Sequence, residues 1–431
     1  MSHSLLHIKG KTAVDGVLKS VTVSVNKTLG TIDGVYIDQE PPEKNGEMID
    51  YGDGILLAGD VNAHSHPEQS LYVDIVDPEW DLATWCRNTI YRYSTQMTPR
   101  LIYLACARAF SRMLLYGTTS VVVSFYCHNG RGNELDEAVI QAANDTGIRL
   151  YFGRMNYDII LDTAYPEKQQ SQRSYYETPE AAERYFRELM QHESPLVTVA
   201  PAIHSFHANT LEAIKHGIRL SHETGRLLQF HLSEDMGDVD LCLQNYNLRP
   251  VEVLAKLKED CEVPSLEHIL LSDCIWLTDG EKDLIAKHGM KVVLNPRMND
   301  RVKAGRADLN SYLERGITVW LGTDGEASND DLSLVHEREY LRAINPGVPS
   351  GLYEKVSQTP FSFGNVQAGL LKVGFAADFK IIKGDKTETV YVGGRCVVDG
   401  GKLLTMDVPA DIENSLADCF PTGGTQCEKN T

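Results

Sequence analysis

Leu57-Ala58-Gly59-Asp60-Val61-Asn62-Ala63-His64-Ser65-His66 decides how the rest of this chain is read. Mostly apolar residues, Gly54 to Ala58, lead into a short polar segment that ends in two histidines one residue apart. Side chains two apart on a strand point to the same face. A His-x-His at a strand end therefore presents two imidazoles to one point in space, and imidazole is the commonest metal ligand. Taken alone, the pair also reads as two surface histidines in a loop. The rest of the chain has to decide.

Around this stretch, apolar runs alternate with helical patterns. Eight runs stand out: Ile55 to Val61, Ser120 to Phe125, Leu150 to Met155, Val197 to Ile203, Leu227 to Leu232, Ile269 to Leu271, Val292 to Leu294 and Ile317 to Leu321. Between them, segments such as Arg100 to Leu115, Pro179 to Met190 and Leu211 to Glu223 carry apolar residues at three- and four-residue spacing. Strand–helix alternation repeated eight times favours a parallel (β/α)8 TIM-type barrel, an α/β fold, over an open sheet. The runs lack strict polar alternation, as expected of strands buried on both faces. Neither a GxGxxG after the first strand nor a GxxxxGK[ST] is present, so a nucleotide-binding fold gains little support.

The two ends of the chain have a different texture. Leu5 to Ile8, Val17 to Val25 and Gly34 to Ile37 are short β segments, and similar ones return at Asp378 to Ile382, Thr389 to Val392 and Arg395 to Gly400. In the second, Val21, Val23 and Val25 alternate with polar residues, the period of a half-buried strand. Neither end is long enough to build a core alone. The expected organisation is one small β-sandwich from residues 1–58 and 366–405, a barrel over 59–365, and a polar C-terminal tail over 406–431.

Composition narrows the partners. A net charge of −19 in 431 residues argues against nucleic acid or an anionic membrane, since both need a basic surface. No apolar run reaches transmembrane length. The N-terminus lacks a basic region followed by an apolar stretch, so no secretory signal is expected. Nine cysteines, an odd number with no CxxC pair, read as free thiols in a reducing, cytoplasmic compartment. A small molecule is left as the partner.

Functional groups of such barrels sit at the C-terminal ends of the strands. The first run ends in His64-Ser65-His66, the fifth in His231-Leu232-Ser233-Glu234, and the eighth in Gly322-Thr323-Asp324. Three histidines and one carboxylate complete a ligand set for one divalent metal, with a position left for water. Taken singly, Asp324 reads as a helix N-cap and His231 as a core histidine. Glu234, just past its strand, reads either as a proton carrier or as a solvated residue at a helix start.

These residues resemble the amidohydrolase superfamily, in the branch of cytosine deaminase, S-adenosylhomocysteine deaminase, the triazine hydrolases and formiminoglutamate deiminase. The resemblance rests on Val61 to His66, Leu115-Tyr-Gly-Thr-Thr-Ser120, His231 to Glu234, Leu294-Asn-Pro-Arg-Met-Asn299 and Leu321 to Asn329. Gly374 to Phe379 and Val392 to Val397 resemble the family's returning sandwich strands. The resemblance implies one divalent transition metal, zinc ahead of iron or manganese, held by His64, His66, His231 and Asp324. It also implies Glu234 as proton shuttle and Asp324 as base toward the attacking water. Trp85 to Arg92 and Pro201 to His207 are similar to segments of formiminoglutamate deiminase, but His207 stands where that enzyme has an arginine, so its carboxylate specificity is not carried over.

The main departure is in the sixth run. This branch usually shows a histidine where the chain reads Leu270-Leu271-Ser272-Asp273. His268 lies five residues before Asp273, an odd number, so in a regular strand it faces the other way and cannot replace that histidine. An ionised Asp273 accepts hydrogen bonds only, which favours a cationic guanidino or amidine substrate, and it would raise a pKa among its carboxylate neighbours. The plainer reading is a hydrogen bond from Asp273 to a loop amide. His204, Trp85, Phe125 and Asn295 are the further candidates for substrate contact. Trp80, Tyr91, Trp276 and His128 are weaker ones, and Arg87 and Arg92 do not share a helix face.

Three readings remain open at this level. The first is a metal-dependent hydrolase attacking a C–N carbon of an amidine, guanidine or N-heterocycle, expected as a homodimer. A second uses the same site for ring closure, ring opening or amide hydrolysis of a guanidino compound. The third is a non-catalytic binding protein on the same barrel.

Overall fold

The structure, a computed structural model, describes residues 5–43, 45–357 and 359–406. Most of the C-terminal tail expected at 406–431 lies outside the described residues. Eight parallel strands follow one another in chain order: Asp60–Ser65, Thr118–Phe125, Arg149–Asn156, Val197–Ile203, Leu228–Leu232, Ile269–Asp273, Lys291–Leu294 and Val319–Leu321. A parallel bridge between Ser65 and Asp324 joins the last strand's end to the first and closes the ring at its carboxyl end. The expected (β/α)8 barrel is present. Its second, third and fourth strands are buried along their whole length, because helices cover one face and the packed interior the other.

Local sequence explains the helices. Pro99–Leu115, Pro179–Leu189 and Leu211–Thr224 each start after a threonine whose hydroxyl accepts an early backbone N–H: Thr98 from Leu101, Thr178 from Ala181 and Thr210 from Ala213. In the first two, proline occupies the opening position, where no N–H is needed. Inside the barrel, Val122, Tyr151, Ala200, Leu270, Val293 and Trp320 form a layer closed from beneath by Phe361 and Phe363. These phenylalanines come from a hairpin of Phe361–Phe363 with Val366–Ala368.

The two chain ends build one mixed sheet of eight strands. Its organising strand is Glu47–Ala58, which pairs in parallel with Leu5–Val14 and antiparallel with Phe379–Lys383. The apolar run Ile55 to Val61 is thus not one strand. Ile55 to Ala58 belong to the end sheet, Asp60 and Val61 to the barrel, and Gly59 makes the break. A Cβ on Gly59 would lie 2.1 Å from the Thr119 hydroxyl, so only glycine lets the two sheets approach here. Val21, Val23 and Val25 are fully buried as their alternation predicts. Thr22, Ser24 and Asn26 are buried too, and Ser24 hydrogen-bonds His7 at 2.7 Å, so the strand is covered on both faces over this half.

A buried ion pair fastens sheet to barrel. Arg149, at the start of the third barrel strand, donates to both carboxylate oxygens of Asp378 at 2.6 and 3.0 Å and to the Pro195 carbonyl at 2.6 Å. Asp378 also accepts the Gly393 N–H at 2.7 Å. Breaking a buried pair by removing one partner leaves the other charge uncompensated. Asp378→Ala should therefore cost about 3–5 kcal/mol of unfolding free energy in a urea titration; a loss indistinguishable from zero would show that the pair does not fasten the two units.

Candidate metal centre and catalytic cavity

His64 is the last residue but one of the first barrel strand, His66 follows that strand, and His231 lies near the end of the fifth. One ring nitrogen from each lies within 4.8 Å of the others. Asp324, just beyond the eighth strand, places Oδ1 3.2 Å from His64 Nε2 and 3.4 Å from His66 Nε2. The strand-end bridge between Ser65 and Asp324 makes this meeting possible. Asp324 holds a left-handed φ of 55°, as Asp273 does at 74°, a conformation side chains rarely adopt. Such strain persists where the surroundings over-determine it.

The hydrogen bonds around the rings determine where the protons sit. His231 Nδ1 is 2.9 Å from the His204 carbonyl, which can only accept, so Nδ1 carries the hydrogen. For His64 the chain of partners is longer. Gln229 donates its amide to the Val123 carbonyl at 3.0 Å, which turns Oε1 toward Ser124. The Ser124 hydroxyl gives its single hydrogen to that oxygen. It must therefore accept from His64 Nδ1, 3.1 Å away. Burial pushes the imidazoles down, His66 and His231 to about 4, so all three are neutral near pH 7. His64 and His231 then turn bare Nε2 lone pairs inward.

Bare His231 Nε2 faces His66 Nε2 at 3.1 Å, beside the Asp324 carboxylate. Burial opposes ionisation of Asp324, but His66, His64 and the Ser328 hydroxyl outweigh it and hold its carboxyl well below the usual range. Converging lone pairs and one carboxylate, all buried, are the donor set of a divalent transition metal. The residues fit such an ion.

Two further carboxylates look onto this centre. Asp235 caps the helix Met236–Tyr246, accepting from Asp238 N at 3.1 Å. Glu234 therefore precedes the cap and lines the cavity instead of solvating a helix start. Asp273 ends the sixth strand, buried, and its Oδ1 accepts from Asn295 at 2.9 Å and Asn299 at 3.1 Å. Burial raises both carboxyls, and neighbouring carboxylates raise them further: Asp273 and Asp324 at Glu234, and Asp324 at Asp273. Among the described residues, neither Glu234 nor Asp273 makes an ion pair.

The cavity measures about 320 Å³, enough for a small molecule. Of the sequence candidates, Trp85, Tyr91 and His204 line it together with His66, His231, Glu234, Asp273 and Asp324. Trp85 is oriented by its Nε1–H, donated to the Ala327 carbonyl at 3.1 Å, and His204 stands 4.9 Å from His231 ring to ring. Phe125 is not on the wall: it is fully buried, its ring packed 5.8 Å from those of Phe152 and His128. Tyr126, the next residue, takes the wall position 5.7 Å from the His66 ring. A one-residue step flips the face, and a strand with no polar alternation gives no parity to read. Asn295 is also off the wall, and acts by donating to Asp273 and to Ser272.

The weaker candidates scatter. His128 is buried between Asp136 at 3.1 Å and the Met155 carbonyl at 2.9 Å. Trp276 is exposed and Trp80 packs against the core. Arg87 and Arg92 lie over the rings of Tyr165 and Tyr93. His268 sits before the sixth strand, beside His222 at 6.1 Å. Sequence reasoning missed Tyr126, Tyr157, Tyr165, Tyr175 and Lys168 on the wall. Tyr126 and Tyr157 each follow the last residue of a barrel strand directly, which is the one signal that marked them.

Residues 55–401 match the amidohydrolase family. The chain belongs to that family. This amidohydrolase is 25% identical over 392 residues to a 5'-deoxyadenosine deaminase of Methanopyrus kandleri, covering 84% of this chain and 85% of that one. It is 27% identical over 342 residues to a 5-methylthioadenosine/S-adenosylhomocysteine deaminase of Bacillus cytotoxicus, covering 77% and 74%. In fold it is similar to the zinc-complexed atrazine chlorohydrolase of Arthrobacter aurescens, with a TM-score of 0.80 at 19% identity over 96% of this chain and 99% of that one. As in the family, its chemistry is hydrolysis at carbon–nitrogen bonds other than peptide bonds.

Loss of a partner that orients a ligating histidine typically weakens metal binding 10–100-fold. Ser124→Ala frees the His64 ring to present the wrong tautomer. Its metal affinity, measured by chelator competition, should fall by about 10–100-fold, whereas an unchanged affinity would dismiss the Gln229–Ser124–His64 chain.

Proposed function

We propose that this amidohydrolase is a zinc-dependent deaminase of a small amidine, guanidine or N-heterocyclic compound, with a cationic reacting group. The observation that carries the reading is the pairing of Glu234 and Asp273 on the wall beside the histidine cluster. Burial raises both, Asp273 and Asp324 raise Glu234 further, Asp324 raises Asp273, and neither makes an ion pair among the described residues. A positively charged substrate nitrogen offsets that repulsion. Names of relatives support deamination as the net reaction, and the zinc of the solved neighbours supports the metal. Iron or manganese fits the same donor set.

Bound at the three histidines, the metal supplies the Lewis acidity that makes water a nucleophile near neutral pH. Asp324, ionised and oriented by Ser328 at 2.7 Å, accepts the proton of the attacking water. Glu234, whose carboxyl is raised by burial and by Asp273 and Asp324, is placed to pass a proton to the leaving nitrogen. Asp273, fixed by Asn295 and Asn299, faces the cationic nitrogen. Trp85, Tyr126, Tyr157 and His204 exclude water and offer aromatic faces to the cation. Amide hydrolysis and ring opening or closure use the same groups in the same places, and product analysis separates them from ammonia release.

No helix among the described residues is long and apolar enough to cross a membrane, and the seven described cysteines are free. We take the enzyme to work in the cytoplasm as a homodimer, which sedimentation of the purified protein tests.

Ammonia release from guanidines, amidines, pyrimidines and adenosine derivatives by the zinc-loaded enzyme is the deciding screen. Turnover of nucleosides alone, with no cationic compound accepted, would overturn the substrate class. Glu234→Gln should lower kcat by about 10²–10⁴-fold with metal content unchanged. Asp273→Asn should raise KM by about 10–100-fold, the worth of one hydrogen bond to a charged group; kinetics equal to wild type would remove Asp273 from substrate binding.

A further inference from the structure

The cavity is acidic. Five carboxylates line it, Glu234, Asp235, Asp238, Asp273 and Asp324, against one Lys or Arg, Lys168. Two of the five have local work: Asp235 caps its helix, and Asp238 pairs with His207 at 2.9 Å. Glu234, Asp273 and Asp324 come from barrel strand ends and form the floor. Lys168 comes from the helix Pro166–Tyr175, which follows the third barrel strand, and lines the same cavity. In an acidic chain, a lysine on such a wall would be expected to pair with a carboxylate. It does not.

Lys168 makes no ion pair and no hydrogen bond among the described residues. Its ammonium instead rests over the Tyr91 ring, 5.1 Å from the centroid. Tyr91 meets Tyr165 edge to face at 6.1 Å, and Tyr165 carries Arg87 on its face at 4.8 Å. Two linked tyrosines thus each carry a cation on the ring face. A cation–π contact positions the charge without neutralising it. An ammonium on a cavity wall that faces no anion is left to be paired by the ligand.

We infer that the substrate is zwitterionic or dipolar, with its cationic C–N group on the carboxylate floor and an anionic group, carboxylate or sulfonate, paired with Lys168. This rests on the cationic deaminase reading above and adds the chemistry of the non-reacting end. Lys168 acts as a binding residue that sets specificity and takes no part in the proton transfers. His207, whose Nδ1 lies 2.9 Å from Asp238, lines the same cavity.

The test compares matched compounds on the zinc-loaded full-length enzyme: guanidinoalkanoates of two to five carbons, guanidinoethanesulfonate, and the neutral-tailed alkylguanidines of equal length. One hydrogen-bonded charge pair predicts a preference for the anionic member of at least about tenfold in kcat/KM, expressed in KM. Lys168→Met should bring that ratio close to one, and Lys168→Arg, which keeps the charge, should retain most of it. Lys168→Gln replaces the methionine variant if the latter does not fold. A ratio near one in the wild type, or a preference that survives loss of the charge, overturns the inference. If no guanidine is turned over, guanidines drop out of the deaminase reading, which then rests on the amidines and N-heterocycles of the ammonia screen. Calorimetric Kd values for the same pairs then decide the role of Lys168 by the same ratio.

Discussion

Closure of the barrel between Ser65 and Asp324 is the contact on which the site depends. The Ser65 hydroxyl donates to the Asp324 carbonyl at 2.8 Å, and the backbone N–H of Asp324 reaches the His64 carbonyl at 3.1 Å. These bonds bring together residues about 260 positions apart, and they do so at the end of the barrel where His64 and His66 emerge. Without the closure, Asp324 is a strand-end acid with no imidazole beside it. With it, one carboxylate lies within 3.4 Å of two ligand nitrogens.

From that junction the chemistry spreads through hydrogen bonds. The Gln229 amide orients Ser124, Ser124 orients His64, and the His204 carbonyl orients His231. Each bond selects one tautomer by the elementary rule that a carbonyl accepts and never donates. Gly153 belongs to the same chain, since a Cβ there would sit 2.1 Å from the Gln229 amide nitrogen. A glycine on the third strand therefore helps decide which nitrogen of a histidine on the first faces the centre.

Charge is distributed with the same economy. Carboxylates that work locally, such as Asp378 with Arg149 and Asp60 with Lys380 and Arg338, are paired and buried at the seams of the fold. Glu234 and Asp273 are left without a cation, where burial raises both. An unpaired acid is costly in a structural role and useful beside a reacting nitrogen. The contrast between paired seams and unpaired floor separates stability from function within one acidic chain.

Much of this was legible from residues alone. Eight apolar runs alternating with helical patterns specify a barrel, because strands covered on both faces need no polar alternation. Reading only the strand ends finds His64, His66, His231 and Asp324, since a barrel gathers those ends at one rim. Parity within a strand was not legible, so Phe125 was read in place of Tyr126, and the break at Gly59 was hidden in a continuous apolar run. Lys168 and Tyr165 lie in or beside connecting segments whose path depends on what they pack against, and no spacing rule relates them to a strand. Strand order and residue type are local properties, carried by periodicity along the chain. Which lone pairs converge, and which charges face each other across a cavity, depends on hydrogen bonds and packing between distant segments, and only the folded structure decides them.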